Sequence, residues 1–145
     1  MARIYVSSII GAPAGAVWER MRDFNGLPGW HPLISESRIE NGEPSDRVGC
    51  IRVLTLQDGS TVREQLLGLS DYDLFCTYSI LESSMGVEGY VATLRLTPVT
   101  DGDRTFAEWS AEFDCDPARE AELVEMIGTN VFQGGFDALN KHAGG

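Results

Sequence analysis

The sequence predicts an α+β fold in which one antiparallel sheet precedes a long C-terminal helix. Three observations point there. From about residue 36 to 115, short β-branched stretches alternate with turn chemistry: Asn41-Gly42-Glu43-Pro44, Gln57-Asp58-Gly59, Asp71-Tyr72-Asp73, Met85-Gly86 and Asp101-Gly102-Asp103. Five or so strands in a row follow, a meander without intervening helices. Residues 117–142 then carry an apolar stripe at helical spacing. Finally, 145 residues without an internal repeat or a long linker suit one domain over 1–145.

In chain order, residues 3–9 read as a short strand ended by Gly11 and Pro13. Pro13 suits the first position of a helix, and Val17, Trp18, Met21 and Phe24 then share one face. Trp18 reads as core. Asn25-Gly26 stops that helix, and Leu27-Pro28-Gly29-Trp30-His31-Pro32 is irregular because its prolines and glycines cannot sustain a regular helix. At the other end, Asp116 is a good N-cap and Pro117 a good first helical residue. Glu120 and Glu122 suit the positive end of the helix dipole. Leu123, Val124, Ile127, Val131, Phe132, Phe136 and Leu139 form the stripe, and the helix would be about 39 Å long. Gly134-Gly135 interrupts it, marking either a kink or the close approach of another group.

Strand parity assigns the inner face. A three-residue loop at Gln57-Asp58-Gly59, with Gly59 left-handed, pairs Leu56 with Ser60, Leu54 with Val62 and Arg52 with Glu64. It is preferred over a two-residue loop because Val53, Thr55, Thr61, Arg63 and Gln65 then face solvent together. With Asp71-Tyr72-Asp73 as the next loop, Leu66 lies opposite Tyr78 and Gly68 opposite Cys76, turning Cys76, Tyr78 and Ile80 inward. Tyr90, Ala92, Leu94 and Leu96 share one face, as do Ala107, Trp109, Ala111 and Phe113. The inner surface is apolar and aromatic, with one Arg, one Glu and one or two Tyr hydroxyls set into it. Ligand sites have that composition. The alternative is an ordinary exposed Arg52–Glu64 cross-strand pair, worth about 0.2–1 kcal/mol.

Charge narrows the partners. Twenty-two acidic against eleven basic residues leave a net charge of −11, and Lys141 is the only lysine. Nucleic acid and anionic membrane surfaces need a basic face, so neither is expected as a partner. Cys50, Cys76 and Cys115 lack disulfide or zinc spacing, and two histidines, His31 and His142, cannot form a multi-histidine metal site. No metal and no cofactor are expected; Gly11-Ala12-Pro13-Ala14-Gly15 lacks the dinucleotide spacing. Met1–Val6 has no apolar signal core, and no stretch approaches the roughly 20 apolar residues of a membrane span. The expectation is a cytoplasmic protein with reduced thiols and no integral membrane association. His142 suits a helix C-terminus. His31 offers two readings, an imidazole at a cavity mouth or one hydrogen-bonded to loop backbone.

The order of elements, with Val17-Trp18, Trp30-His31-Pro32, the run Gly49 to Gly59, Glu64-Gln65-Leu66, Tyr78-Ser79-Ile80, Tyr90 and Glu108-Trp109, resembles the START-like or SRPBCC superfamily. The chain is most similar to its polyketide cyclase/dehydrase-like branch, and in outline to Bet v 1 and the plant abscisic-acid receptors. The resemblance implies a helix-grip fold, a curved sheet wrapped on the long helix with an elongated cavity between them. It also puts Leu27–Pro32 near the cavity mouth. Met85-Gly86-Val87 departs from relatives that often carry a proline there, which leaves a gating role for this loop open. Fold alone does not fix chemistry.

The candidate ligand-binding residues are Trp30, His31, Arg52, Leu54, Glu64, Leu66, Tyr78, Tyr90, Trp109, Phe132 and Phe136, with Glu64 and Arg52 as candidate catalytic residues. The first functional reading is a binder of a small hydrophobic or aromatic, lipid- or polyketide-like molecule, its polar end oriented by Arg52, Glu64 and Tyr78. The second is a cyclase or dehydrase in which Glu64 removes a proton beside a carbonyl and Arg52 or Tyr78 stabilises the enolate. The third is a non-catalytic interaction module with a filled core, for which a homodimer is one arrangement.

Overall fold

The computed structural model describes residues 1–144. All seven strands form one antiparallel sheet: β1 (Ala2–Ile10), β2 (Ile34–Ile39), β3 (Ile51–Leu56), β4 (Thr61–Ser70), β5 (Phe75–Glu82), β6 (Glu88–Val99) and β7 (Arg104–Asp114). Their order is β1-β7-β6-β5-β4-β3-β2, so the first and second strands in sequence form the two edges. A short helix α1 (Ala14–Met21) and the C-terminal helical run complete the curved helix-grip architecture. Six strands therefore occupy the region read as five or so, and β1 is the seventh.

The Asp58-Gly59 turn explains the β3–β4 register. Gly59 takes φ +87°, a left-handed conformation that costs glycine little, and Leu56 N–H donates to Ser60 O. Arg52 consequently faces Glu64, and Leu54 faces Val62, as the three-residue loop requires. The next hairpin departs from expectation. Leu66 pairs with Tyr78, but a bulge before Gly68 sets Gly68 against Thr77 and Leu69 against Cys76. The extra residue is absorbed on β4 alone, so Cys76 and Tyr78 still point inward and are buried. The connecting loop is also one residue longer than Asp71-Tyr72-Asp73, with Leu74 at φ +56° before β5 begins.

Helix α1 starts one residue after Pro13, whose carbonyl accepts from Ala16 and Val17 N–H. It ends at Met21, so Phe24 lies beyond the helix while still contributing to the core. Trp18 is buried, and its indole N–H donates to Asp71 at 2.8 Å, where Arg22 also docks. That ties the β4–β5 loop to α1. The Leu27–Pro32 stretch contains one 3₁₀ turn, Leu27–Gly29, in place of wholly irregular chain.

The C-terminal run opens with Asp116 capping Ala118 N–H at 3.0 Å, then a 3₁₀ turn at Pro117–Arg119 and α2 (Glu120–Met126). A π-helical stretch, Ile127–Gln133, follows before α3 (Gly134–Gly144). The run is thus continuous but not uniformly α. Gly134-Gly135 begins α3, and close approach is the reason for the second glycine. A Cβ on Gly135 would lie 3.0 Å from both His31 Cδ2 and Trp109 Cζ3, whereas one on Gly134 would meet only Thr129 O at 3.6 Å. Among the described residues, no helix is long and apolar enough to cross a membrane.

Candidate functional site

Arg52 and Glu64 sit opposite one another on β3 and β4 with their side chains turned into the fold. Both are buried, at 5% and 6% exposure, which excludes the exposed-pair alternative. Arg52 Nε and Nη2 donate to the same carboxylate oxygen, Glu64 Oε1, at 2.8 and 2.6 Å, and Nη1 donates to Phe24 O at 2.8 Å. The guanidinium lies 3.9 Å above the Phe24 ring and 5.1 Å from the Tyr78 ring. A buried ion pair offsets its desolvation only when further hydrogen bonds and contacts hold it, and here the Phe24 carbonyl and two aromatic faces do so.

Next to this pair, between the sheet and the C-terminal run, lies a partly open cavity of about 90 Å³. Its wall combines apolar side chains (Leu54, Leu56, Val62, Trp109 and others) with His31, Ser60, Glu64, Tyr78 and Ser84. The volume is far smaller than that of the elongated cavity expected, and below the roughly 300–1,000 Å³ of sites for drug-sized ligands. A larger groove, about 790 Å³, runs outside between Pro28–Pro32 and α3, where Asp137, Lys141 and His142 line it. It is an open surface feature, whereas the inner cavity is more sheltered and mostly apolar, so the inner cavity is the better candidate.

Of the candidate residues, His31, Leu54, Glu64, Tyr78 and Trp109 are brought together in the cavity wall. Arg52, Leu66, Tyr90, Phe132 and Phe136 are buried outside it, and Trp30 lines the outer groove instead. Leu66 is fully enclosed core. Phe132 stacks on Trp109 with centroids 4.4 Å apart, and Phe136 packs against the same indole at 5.8 Å, so both support the wall from behind. Tyr90 packs on Phe113. Arg52 likewise acts through Glu64: its guanidinium is part of the floor's support and not of the surface a ligand would touch.

Wall residues absent from the candidate set are Leu27, Leu33, Ile34, Leu56, Ser60, Val62, Ser84, Met85 and Val131. Leu56, Ser60 and Val62 follow from the same register that selected Leu54. Leu27, Leu33 and Ile34 come from the irregular stretch and the start of β2, where no period marks which side chains turn inward.

The two polar groups around Trp109 differ in what they can do. Trp109 Nε1 donates to Tyr78 Oη at 3.1 Å. Burial pushes the Tyr78 phenol well above its ordinary value, and Tyr90 is raised for the same reason, with the nearby Glu64 charge adding to both. These hydroxyls remain protonated donors. His31 is buried at 2% exposure; Leu33 N–H donates to Nδ1 at 3.2 Å, and Nε2 lies 2.7 Å from Val131 O. Those partners require a neutral ring with the proton on Nε2, and burial, with Arg52 nearby, lowers its pKa accordingly. Of the two readings for His31, the backbone-bonded one describes its contacts. Trp30 Nε1 is the one sealed side-chain polar atom without a partner among the described residues.

One loop closes the cavity. Met85 lines it, and Arg119 Nη1 donates to Met85 O at 2.7 Å from the start of the C-terminal run. Gly86 takes φ +83°, and a Cβ there would meet Arg119 Nη1 at 2.8 Å. Glycine is therefore favoured by the backbone conformation, and a larger residue would also push the arginine tip that straps the loop.

A curved antiparallel sheet gripping a C-terminal helix defines the helix-grip class of α+β protein. Residues 1–144 match the family described as polyketide cyclase / dehydrase and lipid transport, and the chain belongs to that family. Solved structures agree. XoxI from Bacillus cereus is 28% identical, with a TM-score of 0.88 over 99% of this chain and 96% of its own. A Thermobifida fusca protein is 29% identical, also at TM-score 0.88, over 99% of this chain and 94% of its own. A Bacillus thuringiensis protein is 27% identical at the same TM-score, over 99% and 100%.

Proposed function

We propose that this protein binds a small hydrophobic or aromatic molecule in the cavity between sheet and helix. The observation that carries the reading is a mostly apolar cavity, partly open to the surface, whose wall holds Glu64 and Tyr78 among Leu54, Val62 and Trp109. A few fixed polar groups in an apolar concavity orient a ligand while its body is desolvated. At about 90 Å³ the site accepts such a ligand by displacing wall side chains, and Met85 and its loop are the wall segment held by a single arginine strap. Membership of a lipid-transport and cyclase family supports this class of ligand.

Native mass spectrometry of the purified chain, with displacement of an environment-sensitive dye such as anilinonaphthalene sulfonate, tests the reading. Saturable dye displacement by small aromatic alcohols is the expected result. A chain that takes up no dye and no probe at millimolar concentration refutes it.

The same two groups favour cyclase- or dehydrase-type chemistry as the second reading. Glu64 is the base at the cavity wall and the Tyr78 hydroxyl the donor to a developing enolate. Arg52, placed behind Glu64, would position that base and not touch the substrate. Turnover separates the readings: an enzyme converts its bound ligand and Glu64→Gln stops the conversion, whereas a binder releases its ligand unchanged.

A further inference from the structure

The binding reading above leaves the polar end of the ligand unspecified, and the arrangement of hydrogen-bonding groups specifies it. We infer that the cavity selects a neutral group that is both donor and acceptor, an alcohol, phenol or primary amide, and rejects carboxylates.

Three observations combine. Arg52, the one cation at the site, is committed elsewhere. Three of its donors go to Glu64 Oε1 and Phe24 O, its face lies on Phe24, and it is not part of the cavity wall. An acid entering the cavity therefore finds no guanidinium to meet it. Glu64 does line the cavity, and since both Arg52 donors converge on Oε1, Oε2 is the oxygen left for a ligand. Among the described residues no group donates to Oε2, yet it is not sealed, because the only sealed unpartnered side-chain polar atom among them is Trp30 Nε1. In the same wall, Tyr78 Oη accepts from Trp109 and keeps its own proton, which is shared with the neighbouring Tyr90 hydroxyl and reaches a ligand by turning from it.

The wall thus offers one carboxylate acceptor and one phenol donor. A hydroxyl or primary amide satisfies both at once, giving its hydrogen to Glu64 Oε2 and accepting from Tyr78. Charge decides against the other ligand classes. The Arg52–Glu64 pair is already neutral, so a carboxylate or an ammonium group would leave a net buried charge, which an apolar site disfavours. A carboxylate would also set an anion against Oε2.

A matched set of probes tests this: 4-propylphenol, 4-propylbenzamide, 4-propylbenzoate and propylbenzene, titrated while the Trp109 indole N–H resonance is followed by NMR. The expected order is phenol and benzamide tightest, with propylbenzene at least threefold weaker and benzoate at least tenfold weaker. Tyr78→Phe should lower phenol affinity roughly two- to tenfold, the worth of one neutral hydrogen bond, and leave propylbenzene unchanged. Benzoate binding as tightly as the phenol, or propylbenzene matching it, overturns the inference while leaving the cavity as a binding site. Failure of all four probes overturns the binding reading itself, and this inference with it.

Discussion

Arg52 and Glu64 share a single oxygen: two guanidinium N–H groups, at 2.8 and 2.6 Å, meet Oε1 and leave the rest of the carboxylate to the cavity. This asymmetry links the β3–β4 register to the chemistry of the site. A one-residue loop slip would put Arg52 and Glu64 on opposite faces of the sheet.

Breaking the pair on one side leaves an uncompensated buried charge. Arg52→Ala should destabilise the fold by about 3–5 kcal/mol. Replacing both partners by apolar residues of similar size, Arg52→Met with Glu64→Leu, should be neutral or stabilising by about 1–4 kcal/mol while abolishing recognition of polar probes. Urea unfolding of the three proteins checks the order; a double variant as unstable as Arg52→Ala contradicts it.

The two neighbouring glycines of α3 should respond oppositely to the same substitution. At Gly135 a methyl group meets His31 and Trp109 at 3.0 Å, so Gly135→Ala is expected to cost about 1–3 kcal/mol through overpacking. At Gly134 the nearest atom is Thr129 O at 3.6 Å, and Gly134→Ala should be neutral or stabilising by up to about 1 kcal/mol, the helix preference of alanine. Thermal unfolding of the pair is sufficient.

His31 makes stability depend on pH with a definite sign. Its pKa is lowered in the folded state, so the unfolded chain binds the extra proton as pH falls through the ordinary histidine range near 6.5. The contribution of the neutral ring is complete above that range and is lost below it. Protonation would also replace the acceptor that Leu33 N–H uses, beside the Arg52 charge. Between pH 7 and 5 the wild type should lose more stability than His31→Gln; parallel profiles contradict the assignment.

Arg119 should control access more than stability. Arg119→Ala removes the donor to Met85 O, so amide exchange at 83–87 should speed up and dye association should accelerate by several-fold. Unfolding stability should fall by less than about 1 kcal/mol, because the arginine is only half-buried and its partners lie near the surface. Unaltered exchange in that loop would show that other contacts hold it.

How far the fold was legible depends on where its determinants lie. The β3–β4 register was readable because one local signal, Asp58-Gly59, decides it, and with it the placement of Arg52, Leu54 and Glu64 on one inner face. Asp116 as a cap is equally local. The bulge before Gly68 is not, since it arises from how β4 meets β5 and leaves the alternation of Cys76 and Tyr78 unchanged. The π-helical stretch was hidden for the same reason. It accompanies the seating of Gly135 against His31 and Trp109 and the stacking of Phe132, contacts between segments far apart in sequence. Cavity size was beyond reach too: alternating large and small inner residues is compatible with a void or with a packed core.

The most direct test of the account is where a ligand binds. Amide and indole shifts mapped during titration with 4-propylphenol should concentrate on Leu54, Glu64, Tyr78, Met85 and the Trp109 indole N–H. Filling the cavity with Val62→Phe, in a chain that remains folded, should abolish them. Shifts confined to Pro28–Pro32, Asp137 and Lys141, unchanged by Val62→Phe, would place binding in the outer groove and contradict the account.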